Sequence, residues 1–313
     1  MTLSTVLGLG QTALELGLLG GLTVLALFLS YSMLNVCDLS TDGCFTLGGC
    51  VGAMVAIAGY PWLSIPAAML AGVLSGFVTA VLQTRMGVES LLAGIIVNTG
   101  LYSVNIAIMG KSTVNMIKTA TVFTKMKDAL SGTALAGQSD LIVGLIAAAL
   151  VIVFLTLFLR TRLGLAIRAT GNNPDMVRSS SINPAFTTTV GLCVANAITA
   201  LSGCLMAQSH RSMDINDGQG MVTIALASLL IGGTFMGKGS IAKRAVGVVL
   251  GAFIFRLVYT VALRFHMPAS MLKLVSSVIV VLAISGPYLR ERFPEFARRL
   301  SHRGAASETE GGT

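Results

Sequence analysis

Apolar residues fall along this chain in long blocks, and polar residues gather in the short gaps between them. Nine hydrophobic segments stand out, roughly 12–34, 44–60, 66–83, 88–110, 139–159, 185–207, 220–236, 245–264 and 269–288. Most approach 20 residues, the length of helix that crosses the roughly 30 Å hydrocarbon core of a bilayer. They lack the dyad alternation of a transmembrane barrel. The pattern predicts an all-α, polytopic transmembrane helical bundle of about 8–10 membrane segments, some of them short or re-entrant. Residues 1–288 form the membrane domain on this reading, and 289–313 a cytoplasmic, largely disordered tail that is polar and rich in glycine.

Within the apolar blocks, small residues recur at four-residue spacing: Gly17 with Gly21, Ala67 with Ala71 and Ser75, Gly72 with Gly76, and Gly247 with Gly251. Such stripes let helices approach closely, and their spread along the chain predicts one bundle. Two stretches, "NVCDLSTDGCFTLGGCVGAMVAIAG" and "DINDGQGMVTIALASLLIGGTFMGKG", each set acidic residues and glycine before a short apolar run. They occupy the second and seventh of nine positions, so alternation runs them in opposite directions. Broken helices of an inverted repeat, with their N-termini facing a central pathway, give this pattern. Chance in a chain with 35 glycines is the competing explanation.

Composition sharpens the class. A mean hydropathy of +0.83 with 11% charged residues excludes an ordinary soluble domain. The net charge of +8 does not read as nucleic-acid binding, because the basic residues sit in short loops beside apolar spans, where they orient the chain. Arg290, Arg292, Arg298, Arg299 and Arg303 place the C-terminus in the cytoplasm. Alternation then puts Arg85, Arg160, Arg162, Arg168, Arg178, Lys238, Lys243 and Arg244 inside and the N-terminus outside. The loop 111–138, with Lys111, Lys118, Lys125 and Lys127, is assigned outside against the usual bias, which longer loops obey less strictly. No basic residue precedes the first span, so a cleaved signal peptide is not expected.

Catalytic chemistry finds no support. Cys37, Cys44, Cys50, Cys193 and Cys204 show no paired spacing and read as small buried hydrophobes, and the three histidines are too scattered to complete a metal site. "GGTFMGKGS" at Gly232–Ser240 imitates a nucleotide-binding P-loop, but Gly239 replaces the required Ser or Thr and no βαβ context surrounds it. Paired carboxylates, H-E-x-x-H and G-x-S-x-G are missing from the spans. The polar residues inside the spans are the better candidates. Asn98 and Asn105 lie on one face of the fourth segment; Asn196 and Thr199 lie in the sixth, Thr223 in the seventh and Arg256 in the eighth. Lining a substrate pathway and interhelical hydrogen bonding both fit the asparagines, whereas a lone arginine in a span must face protein or water.

The most conspicuous polar island is "RATGNNPDMVRSSSINP", Arg168 to Pro184, inside the loop 160–184. Asn173 is a good N-cap, Pro174 suits the first helical position and Asp175 complements the positive helix end. Ser179–Ser181 and the pre-proline Asn183 limit the helix to one or two turns. A simple connector needs no such helix; an interfacial surface helix or a docking element for a cytoplasmic subunit explains it.

"TRLGLAIRATGNNPDMVRSSSIN" and "SLLIGGTFMGKGSI" resemble the permease subunits of bacterial ABC importers of the branched-chain amino acid and ribose type. "LNVCDLSTDGCFTLGG" and "LLAGIIVNTGLYSVNIAIMGK" are similar to an uncharacterised subgroup associated with tryptophan or other aromatic amino acids, whose pattern phenylalanine-proline-aspartate, followed by serine after the glycine, stands here as Val36, Cys37 and Asp38 and then Cys44, so that Val36, Cys37 and Cys44 depart from it. The resemblance implies a multi-pass protein of the bacterial cytoplasmic (inner) membrane. It implies a second permease copy, a cytoplasmic ABC ATPase dimer that holds the ATP and magnesium, and an extracytoplasmic solute-binding protein. This chain would bind no cofactor and would have no ATPase site of its own. Gly171, Asn172, Asn173, Pro174, Asp175, Met176 and Arg178 would form the coupling helix that transmits the ATPase stroke, and the solute would be a small molecule such as an aromatic or branched-chain amino acid. The alternatives are a secondary transporter driven by an ion gradient, against which the scarcity of carboxylates in the spans speaks, and a membrane scaffold.

Overall fold

The computed structural model describes residues 3–131, 138–236 and 239–264, with isolated helical positions at 274, 277, 278, 280, 281 and 285. The expected ninth segment, apart from those positions, and the tail from 289 lie outside the described residues, as does Lys238. The first helix, α1 (Leu3–Leu27), continues as a π-helix over Phe28–Met33. There follow α2 (Thr41–Ile57), α3 (Pro61–Thr84), α4 (Ser90–Met109), a strand β1 (Thr113–Asn115), α5 (Val122–Ala129) and α6 (Ser139–Phe158). The second half holds α7 (Arg162–Asn172), α8 (Pro174–Ser179), α9 (Pro184–His210), β2 (Ser212–Asp214), α10 (Met221–Met236) and α11 (Ile241–Arg264).

Five of the described helical stretches are long and apolar enough to cross a membrane: Gly10–Met33, α3, α4, α6 and α9. The second and seventh segments are the short ones, α2 with 17 residues and α10 with 16. The third starts a turn earlier than the expected 66. Pro61 takes the first helical position, where its missing N–H costs nothing, and Pro66 stays inside the helix on an exposed face. α4 stops where Gly110 adopts φ 68°, a left-handed C-cap open to glycine without steric cost.

Helix pairing is symmetric. α9 packs on α2 and α3, α1 packs on α10 and α11, and α2–α3 is matched by α10–α11. Exchanging the first three helices for α9, α10 and α11 maps these contacts onto themselves. Hydrophobic burial does little to drive helices together in lipid, so close packing must. Three of the small-residue stripes supply that packing. Gly17 and Gly21 meet Phe253 and Ala252 of α11, Gly72 and Gly76 meet Asn196 and Leu192 of α9, and Gly251 meets Ser228 of α10, with Gly232 of α10 against Gly247. In the fourth, Ser75 is buried and Ala67 and Ala71 are half-buried.

The two ends of the bundle differ. At one end β1 pairs antiparallel with β2, Val114 opposite Met213, which brings together the ends of α4 and α9. Gln208, fully buried, donates to the Ser64 hydroxyl of α3 at 2.7 Å and accepts the Val122 N–H at 2.9 Å, seating α5 there. At the other end the start of α9 meets α7, through a 2.8 Å hydrogen bond between the Thr170 and Thr187 hydroxyls, and Gly171 of α7 abuts the end of α1. The lysine-bearing loop after α4 therefore lies at the end opposite α7 and α8.

Candidate functional site

The polar island folds as two helices where one was expected. Thr161 caps α7 by accepting the Gly164 N–H, and α7 runs through Gly171 and Asn172. A Cβ on Gly171 would stand 2.2 Å from the Met33 carbonyl oxygen, so only glycine lets α7 touch the end of the π-helix that continues α1. Asn173 then breaks the helix in extended conformation, and its Oδ1 accepts the N–H groups of Asp175 and Met176 at 3.1 and 3.0 Å. Pro174 sits at the first position of α8, as the sequence predicts. The six-residue α8 closes with the Ile182 N–H reaching back to the Val177 carbonyl, with Ser181 at φ 62°.

Only Val177 of α8 turns inward; Met176 is 69% exposed. Asp175 and Arg178 form an exposed ion pair at 3.8 Å, a geometry that adds little stability. Beneath them Ile167 is fully buried, and Thr170 and Thr187 are hydrogen bonded. The assembly is a short capped rod with an apolar tip, anchored at its base to α1 and α9.

Halfway along the bundle a second polar region forms where α2 and α10 begin. Residues 34–40 link the π-helix to α2 without helix, and such backbone is tolerated in a bilayer only where protein satisfies it. Asp38, 2% exposed, does so: one oxygen accepts the Ser40 N–H at 2.8 Å and the Ser40 hydroxyl at 2.6 Å, the other accepts Asn196 Nδ2 at 2.8 Å. Four residues on, the Asp42 carboxylate caps α10, accepting the N–H groups of Gly220 at 2.9 Å and Val222 at 2.8 Å. The N-termini of the two short helices meet here, α2 continuing towards the β1–β2 end and α10 away from it.

Asn98 and Asn105 flank this junction. Asn105 donates to the Gly43 carbonyl at 3.3 Å, and both line a cavity of about 340 Å³ with Asp42, Thr46, Tyr102 and Gln219. Arg256 lines a neighbouring cavity of about 270 Å³ with Asp217 and His210. Asn196 and Thr199 are packed within α9, Asn196 turned to Asp38 and Thr199 bonded to the Ala195 carbonyl, and neither lines these cavities. Thr223 is exposed on the first turn of α10 and also lines neither. The six candidate pathway residues thus do not form one constellation. A larger groove of about 640 Å³ between α3, α5, α6 and α9 is lined almost wholly by apolar side chains, with Thr189 and Cys193 the exceptions, and offers little to orient a polar solute.

Asp38 and Asp42 stand in the sequence only as acids ahead of a short apolar run, with no role of their own assigned there. Both fall between the first two apolar segments of the sequence, and the fold brings them inside the bundle, Asp38 buried and Asp42 half-buried. The signal was present, since an ionisable residue in an apolar stretch marks an interior site. Their partners, 158 and about 180 positions away, were not visible in the sequence. Among the described residues the five cysteines form no disulfide, and no group of three or more His, Cys, Asp or Glu could hold a metal ion.

A bundle of apolar helices with two short helices meeting inside it, carrying an anchored rod at one end, defines a multi-pass membrane permease. The chain belongs to the family described as branched-chain amino acid transport system / permease component, whose profile matches residues 12–284. It is 31% identical over 259 residues, 82% of its length, to a tyrosine transport system permease protein of Clostridioides difficile, covering 84% of that protein. It is 27% identical to the ribose import permease of Escherichia coli, over 79% of this chain and 75% of that one. In fold it is similar to a chain of PsaBC from Streptococcus pneumoniae in complex with Fab, with a TM-score of 0.52 at 14% identity, covering 91% of this chain and 94% of that chain.

Proposed function

We propose that this chain is the membrane-spanning subunit of an ATP-driven ABC importer, moving a small solute, an amino acid of aromatic or branched-chain type, into the cytoplasm across the bacterial inner membrane. The capped α7–α8 rod carries the reading. Its tip, Met176 with Asp175 and Arg178, is free to dock, and its base is locked to the ends of α1 and α9 by Gly171 and Thr170. A rod fixed at its base passes displacement on to α1 and α9, whereas a frayed one would absorb it. The motor is a separate ABC ATPase dimer that holds ATP and magnesium; two permease copies and an extracytoplasmic binding protein complete the assembly. Amino acids are favoured because the relative at 31% identity is named for tyrosine transport.

An ion-gradient mechanism would need free carboxylates in the spans. Asp38 and Asp42 are engaged with Ser40 and Asn196, and with the α10 amides, which fits structural roles. The test is cross-linking. A cysteine at Met176 is expected to cross-link to the ATPase partner with an efficiency that changes when ATP is added. Uptake by vesicles holding this chain alone, driven by a proton or sodium gradient, would overturn the proposal.

A further inference from the structure

The cavity around Arg256 has a composition that the rod mechanism does not use. Arg256 lies in the membrane helix α11, and among the described residues its guanidinium has no ion pair and no hydrogen bond to protein. It leans on Gly20 of α1, with Nη2 3.4 Å from where a Cβ would be, and its Cζ stands 5.8 Å from the centre of the Tyr259 ring. A guanidinium placed in a span without a counterion is costly. Its five donors form a planar fork that matches a carboxylate.

The cavity also holds an acid. Asp217 lines it from the loop before α10. One of its oxygens accepts the Asp214 N–H at 2.9 Å, and the other makes no hydrogen bond among the described residues. The nearby Asp42 is not available, because both its oxygens are committed to the α10 amides. The remaining wall includes Phe45, Met206 and Ile224, and the volume is about 270 Å³. His210 also lines it, next to β2, so the cavity belongs to the β1–β2 end of the bundle, opposite the rod.

Among the described residues, one cation without an anionic partner, one half-used carboxylate and an apolar wall fit a single class of small molecule. We infer that this cavity receives a free amino acid with an apolar side chain, Arg256 taking its α-carboxylate and Asp217 its α-ammonium group. The side chain lies against Phe45, Met206 and Tyr259. A neutral sugar would leave the guanidinium uncompensated, so the site discriminates against sugars by charge. The inference rests on the importer reading for its biological sense and deepens it by naming the solute's recognised groups.

The experiment is a thermal-shift titration of the purified, detergent-solubilised permease with L-phenylalanine and L-leucine. L-phenylalaninamide, which lacks the carboxylate, and D-ribose serve as controls. The two amino acids should raise the melting temperature and the controls should not. Arg256→Gln should weaken the response by about tenfold or more, and Asp217→Asn should weaken it by a smaller factor. Arg256→Lys, which keeps the charge but loses the fork, should fall between wild type and Arg256→Gln. If Arg256→Gln does not fold, Arg256→Lys and the exposed-loop variant Asp217→Asn carry the comparison.

An equal response to phenylalanine and its amide, no response to either amino acid, or unaltered affinity in both Arg256→Lys and Asp217→Asn would overturn the inference. ATP-driven uptake by the reconstituted wild-type complex is measured alongside. Uptake without a shift removes this site and leaves the importer standing; a shift without ATP dependence does the reverse.

Discussion

The Asp42 carboxylate accepts the backbone N–H of Val222 at 2.8 Å, joining the first turns of two short helices whose residues are 180 positions apart. Each helix begins inside the bundle, where its unpaired N–H groups have no bulk water to turn to. One acid serves both ends: it lies in the first turn of α2, where negative charge is favoured, and it caps α10 across the gap. Asp42→Ala removes the acceptor from two amides and should cost about 1–3 kcal/mol. Asp42→Asn keeps one oxygen and should cost less. Thermal unfolding of the purified permease ranks the three proteins; an alanine variant as stable as wild type would remove the junction from the account.

Packing in lipid depends on backbone approach, and the glycines test it. A Cβ on Gly203 would lie 1.9 Å from the Phe45 carbonyl oxygen, where neither backbone can yield cheaply, whereas one on Gly100 meets nothing within 4 Å. Gly203→Ala should destabilise by at least the ~1–3 kcal/mol of an overpacked core. Gly100→Ala, exposed in mid-helix, should be neutral or stabilising by up to ~1 kcal/mol. Folded yield and melting temperature report both, and equal behaviour would contradict the interface drawn between α2 and α9.

The β1–β2 ribbon carries a pH dependence. The Asp214 carboxylate accepts the Thr113 hydroxyl across the ribbon and the Asn216 N–H, and these bonds outweigh slight burial to hold its pKa below the ordinary 3.8. A carboxyl depressed in the folded state contributes stability that is full above its unfolded pKa and is lost as pH falls through the folded value. Amide protection at Val114 and Met213 should therefore be lower in Thr113→Val than in wild type at neutral pH. That difference should shrink well below 3.8. A difference that persists undiminished in acid would mean that the Thr113 contribution is not electrostatic.

Much of this arrangement is legible along the chain, and the exceptions have a common cause. The glycine stripes, the Asn173 cap and Pro174 are local signals, and each stands where local physics puts it. The short second and seventh helices were marked by acids and glycines ahead of brief apolar runs. What those acids hold was hidden, because Asn196 and Val222 reach them only through the fold. The sequence shows α7 as loop because its partners are the carbonyl of Met33 and the hydroxyl of Thr187, one of them far away in sequence. The ribbon of two three-residue strands and the π-turn at Phe28–Met33 carry no periodic pattern of their own. Arg256 and Asp217 were separately visible as polar residues in an apolar chain; their sharing of one cavity was not.

The stiffness of the rod is the claim on which transport coupling depends. Asn173→Ala with Pro174→Gly deletes the cap on two amides and the preset first turn of α8, a local loss on the order of 1 kcal/mol or more that leaves the membrane helices untouched. In vesicles reconstituted with the ATPase and binding protein, the measurement is solute imported per ATP hydrolysed. Hydrolysis that continues while import falls is the predicted result; an import-to-hydrolysis ratio equal to wild type would contradict the account.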